Sequence, residues 1–181
     1  SLESIAGFQA KCGVTGFLGS TLSAPLKSVL EAMRVIQAAR KKHLPSEILG
    51  TYIEGPFVSG QRTGAHEAAH MKGMTEGDMR YVMKAVRGMK SIISLAPEVG
   101  RNQRFIPQLR KAGMVVAIGH SDATYEEAIK SFTKGVSHAT HLFNAMRGFH
   151  HREPGVVGAV LDTDKVTAEL IADGVHVHPA A

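Results

Sequence analysis

The sequence predicts an α/β fold with an all-parallel sheet, of the (β/α)8 barrel type but incomplete. Three observations carry this expectation. Short apolar runs alternate with amphipathic helical stretches, about six units in series, a pattern that calls for parallel strands covered by helices. The polar residues with chemical potential, Glu54, Glu98, His120, His141, Asp173 and His176, each fall at or just beyond the C-terminal end of a predicted strand. A barrel gathers such residues onto one face. An open doubly wound sheet spreads them along an edge and adds a glycine-rich phosphate turn, and no G-x-G-x-x-G follows the first predicted strand.

The elements follow in order. Val14 to Leu18 reads as a strand. Pro25 to Lys42 reads as a helix, with Ser23 as N-cap and Leu26, Val29, Leu30, Met33 and Ile36 on one face. Ile48 to Ile53 is the second strand, and a long glycine-bearing loop leads to a helix over Thr75 to Met89. Ser91 to Leu95 is a strand, Asn102 to Lys111 a short helix and Met114 to Ile118 a strand. Thr124 caps a helix through Phe132, Val136 to Thr140 is a strand, and Val166 to Ile171 is the last. A complete barrel takes about 250 residues, so six units in 181 residues predict that the first and last barrel strands are missing. The whole of 1–181 is expected to be one partial barrel domain.

Composition narrows the function classes. At 44% hydrophobic and 20% charged residues, the chain can bury one core. No apolar run approaches the roughly 18 residues of a membrane span, and no basic-then-apolar leader is visible, so no membrane partner is expected. The single cysteine, Cys12, rules out an internal disulfide, fits a reducing cytoplasm and is expected to be a small buried residue. The net charge of +5 is dispersed, and its densest cluster, Arg40-Lys41-Lys42, lies at a predicted helix C-terminus, where cations complement the helix dipole. Basic and aromatic residues do not interleave and tryptophan is absent, which argues against nucleic acid.

Three strand ends carry the chemistry. Tyr52-Ile53-Glu54-Gly55-Pro56-Phe57 ends a strand in a carboxylate, Gly119-His120-Ser121-Asp122-Ala123 ends one in an imidazole, and Ala139-Thr140-His141-Leu142-Phe143-Asn144-Ala145-Met146 supplies a second imidazole. One carboxylate and two imidazoles from separate strands can converge on a divalent ion and leave a position open for water. A competing pattern is His66-Glu67-Ala68-Ala69-His70, which reads H-E-x-x-H as in zinc proteases. That chemistry needs both histidines on one face of a stable helix. Here the segment lies between Gly64 and Gly73 with no apolar stripe to anchor one, so the protease reading is set aside.

The stretches EGPF, GAH (Gly64-Ala65-His66), APE (Ala96-Pro97-Glu98), GHSDA, THLFNAM, REPG (Arg152-Glu153-Pro154-Gly155) and LIADGVHV (Leu170 to Val177) stand in the order found in N-acetylglucosamine-6-phosphate deacetylases. The chain resembles that amidohydrolase family over essentially its whole length. The resemblance implies hydrolysis of the acetamide of N-acetylglucosamine 6-phosphate to glucosamine 6-phosphate and acetate by a metal-activated water. It implies Glu54, His120 and His141 as ligands to a divalent ion, zinc first, with iron, cobalt, nickel, manganese or cadmium as others. His66 would polarise the acetamide carbonyl beside Ala65, Asn144 and the Ala145 backbone would hold the phosphate end, and His176 would contact the sugar or its phosphate.

Arg152 would pair with the phosphate, which suits its planar donor fork, and could serve the neighbouring subunit of a homodimer. Glu98, Asp173 and His178 receive no role. The family's acid/base aspartate comes from the last barrel strand and is expected beyond Ala181. The chain is therefore expected to be an inactive central fragment of a longer cytoplasmic enzyme. Two other readings remain open: a related amidohydrolase acting on another N-acyl substrate, and a non-catalytic fragment that binds phosphosugar or metal.

Overall fold

A computed structural model describes residues 1–181. Its elements run α1 (Leu2–Lys11), β1 (Gly16–Thr21), α2 (Leu26–Ala39), β2 (Glu47–Glu54), α3 (Glu76–Ala85), β3 (Lys90–Leu95), α4 (Asn102–Lys111), β4 (Val115–Ile118), α5 (Tyr125–Lys134), β5 (Val136–Ala139), α6 (Gly155–Leu161) and β6 (Thr167–Ala168). The six strands form one sheet in the order β1-β2-β3-β4-β5-β6, every neighbouring pair parallel. This is the incomplete (β/α)8-type barrel the sequence predicts. No helix is long and apolar enough to cross a membrane.

The sheet curls, and two contacts prove it. Tyr52 on β2 and Thr140, just past β5, join their hydroxyls at 2.7 Å. Glu54 at the end of β2 lies 3.0 Å from His141, also past β5. Two strands separate β2 from β5, so in a flat sheet they would lie ~14 Å apart at the usual spacing. Side chains that touch over that span must meet across a concave face. On that face Ser94 of β3 extends the network to Thr140 at 2.9 Å.

The convex face is apolar and packs on the helices. Ile36 and Met33 of α2, Val82 of α3, Phe105, Ile106 and Leu109 of α4 and Ala128 of α5 belong to one core with Ile53, Ile93, Leu95, Val116 and Ile118. Helices α3 and α5 begin at capping boxes, Thr75 with Asp78 and Thr124 with Glu127, each pair satisfying two orphan N–H groups. Asn102 is fully buried at the start of α4 and uses its carboxamide three times. It donates to the Phe57 and Ala96 carbonyls at 2.8 Å each and accepts from the Met74 N–H at 2.7 Å. It thereby ties together the loops that follow β2 and β3.

Some expectations need correction. Ser23 does not cap α2. The N-cap is Pro25, without a side-chain hydrogen bond, and Ser23 is turned toward His66 instead. Cys12 is exposed at the end of α1, because that helix buries only Ala6 among its residues. The helix over Thr75 to Met89 is Glu76–Ala85, and the last strand is only Thr167–Ala168. Its ladder is extended by Glu169, whose N–H donates to the Ala139 carbonyl at 3.0 Å. Two helices went unpredicted. α1 has one buried residue, and α6, six of whose seven residues are buried, shows no polar face from which a helical period could be read.

Candidate metal centre

Glu54, His120 and His141 arrive from the ends of β2, β4 and β5 and present three ligand atoms to one point. Glu54 Oε1 lies 2.8 Å from His120 Nε2 and 3.0 Å from His141 Nε2, and the two imidazole nitrogens are 3.1 Å apart. The backbone is bent to achieve this. All four non-glycine residues with positive φ lie here: His120 (45°), His141 (30°), Phe143 (77°) and Ala145 (48°). Left-handed geometry costs a non-glycine residue on the order of 1–3 kcal/mol, and it persists where the surroundings over-determine it. Here it turns each chain out of its strand so that the imidazole faces the concave centre.

Hydrogen bonding sets the proton on each ring. His120 Nδ1 sits 2.9 Å from the Arg62 carbonyl, which can only accept, so Nδ1 carries a hydrogen and Nε2 is the nitrogen turned to Glu54, donating to the carboxylate when protonated and able to ligate an ion when not. His66 is the opposite tautomer. The Ser23 backbone N–H donates to its Nδ1 at 3.0 Å and the Ser23 hydroxyl lies at 2.6 Å, so Nε2 carries the hydrogen and points toward Glu54 Oε1 at 3.4 Å. Gly55 makes this approach feasible. Its φ is +81°, and a Cβ there would collide with Ser23 Oγ and meet His66 Nδ1 at 3.2 Å.

The electrostatics match a cation site. Burial pushes the Glu54 carboxyl up, but hydrogen bonds from His120, His141 and His66 outweigh it and hold the group well below the usual carboxylate range. Burial pushes His141 down, and the hydrogen bond and charge of Glu54 outweigh that and raise it. An unprotonated Nε2 and a carboxylate oxygen at 2.8 Å repel unless a proton or a metal ion lies between them. Around a tetrahedral ion with bonds of ~2.0–2.1 Å, neighbouring ligand atoms stand ~3.3 Å apart. The three donor atoms are already close to that spacing, so the residues fit a divalent ion. His141 Nδ1 is buried without a partner, so that ring lacks the outer hydrogen bond that fixes His120.

A cavity of about 300 Å³ opens over these groups, lined by Glu54, His120, His141, Leu22, Gly64, Ala65, His66, Asn144, Ala145, Ile171 and His176. It therefore brings together every proposed ligand and every proposed substrate contact except Arg152. Arg152 is exposed in the loop before α6, where its N–H donates to His150 Nδ1 at 3.2 Å. His70 also stays outside. Ala68–His70 is a single 3-10 turn in which His70 pairs with Glu67 at 3.1 Å, so the two histidines of HEAAH never share a helical face.

Several residues that received no role now have a place. Asp173 accepts the His176 and Val175 backbone N–H groups and the His176 ring, which hold its pKa down at about 2. Glu98 accepts from the Ser121 hydroxyl at 2.8 Å and the Asp122 N–H at 2.6 Å, just after His120. Arg62 and Arg147 carried no motif to single them out, and Ser23 was singled out only as a helix cap. Their contacts with the site span 25 to 60 positions of sequence.

A curled parallel sheet that gathers a carboxylate and two imidazoles from separate strand ends is a partial (β/α)8-type barrel with a candidate metal centre at the C-terminal ends of its strands. The comparisons with known proteins carry the assignment further. The chain is 42% identical over 175 residues to the N-acetylglucosamine-6-phosphate deacetylase of Lysinibacillus sphaericus, covering 94% of this chain and 44% of that protein. It is 35% identical over 181 residues to the N-acetylgalactosamine-6-phosphate deacetylase of Escherichia coli O157:H7, covering 99% and 48%. In structure it superposes on the N-acetyl-D-glucosamine-6-phosphate deacetylase of Mycobacterium smegmatis with a TM-score of 0.85 at 36% identity, covering 92% of this chain and 43% of that one. A single-substitution mutant of that enzyme, in complex with N-acetyl-D-glucosamine-6-phosphate, matches equally well, again at a TM-score of 0.85.

No protein-family model matches the chain, so pairwise similarity carries the assignment. In sequence and in fold the chain matches the N-acetylglucosamine-6-phosphate deacetylases, and it spans less than half the length of the curated relatives.

Proposed function

We propose that this chain carries the metal site and part of the substrate pocket of a deacetylase acting on N-acetylglucosamine 6-phosphate. The observation that supports it best is the convergence of Glu54, His120 and His141 beneath a cavity that also holds His66. The relatives named for that activity point the same way. Glu54, His120 and His141 would hold a divalent ion, zinc before the other transition ions, because one carboxylate and two imidazoles suit it. Bound there, the ion would supply an activated water and Lewis-acid polarisation of the acetamide carbonyl.

The chain's own residues do the rest. His66 presents Nε2–H, a donor locked by Ser23, at the place where negative charge develops on the carbonyl oxygen. Backbone at Gly64, Ala65 and Ala145 and the Asn144 carboxamide line the wall on which the sugar phosphate would rest, and His176 closes the opposite side. Arg152 would reach phosphate from a neighbouring subunit, since it does not line its own cavity. Glu54 is the one carboxylate among the lining residues, and three imidazoles engage it. The proton that must pass to the departing amine therefore needs a further carboxylate, which the family draws from the last barrel strand.

A soluble cytoplasmic homodimer is the setting we propose for the whole enzyme. Acetate release from N-acetylglucosamine 6-phosphate and from N-acetylgalactosamine 6-phosphate by the full-length protein tests the activity and the choice of sugar together. Hydrolysis of neither, with turnover of another N-acyl compound, would move the protein to a different amidohydrolase activity.

A further inference from the structure

Outside the cavity, the densest charged cluster lies behind His120. Asp122 accepts from Arg62 through Nε at 2.8 Å and Nη2 at 2.6 Å, both on Oδ1, and from Arg147 Nη2 at 2.8 Å on Oδ2. Its side chain is only 15% exposed and does not line the cavity, so the carboxylate is spent on two guanidiniums and is not free to act on substrate. We propose that Asp122 is a positioning residue that fixes the ring orientation and tautomer of His120 and braces the segment carrying His141. This inference rests on the metal site proposed above.

The connection is a closed loop of contacts. The Arg62 carbonyl accepts the Nδ1–H of His120 at 2.9 Å, which leaves Nε2 free as a ligand. Two bonds hold the residue that presents this carbonyl, one on either side of its Cα: Arg62 N–H donates to the Ser59 carbonyl at 3.0 Å, and the Arg62 guanidinium is tied to Asp122. Asp122 is itself two residues past His120, and the Ser59 N–H donates to the His120 carbonyl at 2.8 Å. The loop after β2 and the loop after β4 therefore lock each other.

The second oxygen of Asp122 extends the lock to the third ligand. Arg147 follows His141 by six residues, and its N–H donates to the Ser121 carbonyl at 3.0 Å while its guanidinium holds Oδ2. One carboxylate thus joins three loops that each carry or orient a ligand. Without it, two guanidiniums would face each other with no shared anion, and the Arg62 peptide would lose the anchor of its side chain.

The test is a zinc competition titration on the full-length protein, with the Co²⁺ d–d absorption band as a second readout. Asp122→Asn keeps the shape and removes the charge. Its expected effect is a loss of about 10-fold in Zn²⁺ affinity, the low end of the range for hydrogen-bond partners of metal ligands because Asp122 acts through Arg62, with an altered Co²⁺ band. Wild-type affinity and an unchanged band in Asp122→Asn would overturn the assignment, even if the metal-free protein melted earlier, because that pattern is purely structural. If wild-type protein bound no Zn²⁺ at all, the metal reading itself would fall. Should Asp122→Asn not fold, Arg147→Gln breaks only the Oδ2 contact. A weaker Zn²⁺ affinity there supports the role, and unchanged affinity refutes it.

Discussion

Gly119→Ala is a single methyl placed where the fold has no room for it. A Cβ at this position would lie 2.6 Å from Ser94 Oγ, 2.6 Å from Thr140 Cβ and 2.8 Å from Thr140 Oγ1. Carbon atoms prefer about 3.5–4.0 Å, so the overlap with Thr140 Cβ is roughly 1 Å. Rotation cannot relieve it, because Cβ is fixed to the backbone. Ser94 and Thr140 are 0% and 1% exposed, and both belong to the hydrogen-bonded chain that ends at Tyr52. Overpacking of this kind costs about 1–3 kcal/mol. For a chain of this size each kcal/mol lowers the melting temperature by about 2–4 °C, so a cost of about 2 kcal/mol gives a drop of about 4–8 °C. Because Gly119 precedes His120, Zn²⁺ affinity should fall as well. Thermal melts with and without Zn²⁺, beside a Zn²⁺ titration, read both effects. A variant that melts with the wild type and binds Zn²⁺ equally well would refute the packing argument.

The remaining expectations concern single groups. His66→Gln should lower kcat by about 10²–10³-fold, the usual loss of one donor to a developing oxyanion, with Zn²⁺ affinity nearly unchanged; equal losses in both would make His66 a ligand. His70→Ala should leave Zn²⁺ binding intact while His141→Ala abolishes it, and the reverse pattern would restore the protease reading of HEAAH. Burial raises the Glu98 carboxyl above its ordinary 4.5, although bonds from Ser121 and Asp122 oppose the shift. The folded state then holds a proton that the unfolded state releases, so stability falls as pH rises from 4.5 through the raised folded value. Urea melts across that window should show this loss in the wild type and its absence in Glu98→Gln. Arg152→Ala should raise KM for the 6-phosphorylated sugar by about 1.5–3 kcal/mol equivalent and leave a non-phosphorylated analogue nearly unaffected. An equal loss on both would show that Arg152 does not read phosphate.

The strand ends were legible because each joins an apolar run to a polar residue beside a breaker or turn, as in Ile53-Glu54-Gly55-Pro56 and Ile118-Gly119-His120. Parallel strands buried on both faces read as such runs, and the choice of a barrel over an open sheet followed from the chemistry at their ends. The capping box at Thr124 was equally plain, with Glu127 three residues on. Ser23 misled for a physical reason: a serine two residues before a proline looks like a cap, yet its best partner was an imidazole 43 positions away. The same holds for Arg62, Asp122 and Arg147, whose lock joins three loops and leaves no local period or spacing. Helix α6 stayed hidden because burial on nearly every side erases the amphipathic signal.

The central claim is that Glu54, His120 and His141 form one metal site. A crystal structure of the protein grown with Zn²⁺, with anomalous diffraction at the zinc edge, tests it directly. The expected result is a single ion about 2.0–2.2 Å from a Glu54 carboxylate oxygen and from the Nε2 atoms of His120 and His141, with His66 outside bonding distance. An ion held by His66 and His70, or no ordered ion between the three strand ends, would contradict the account.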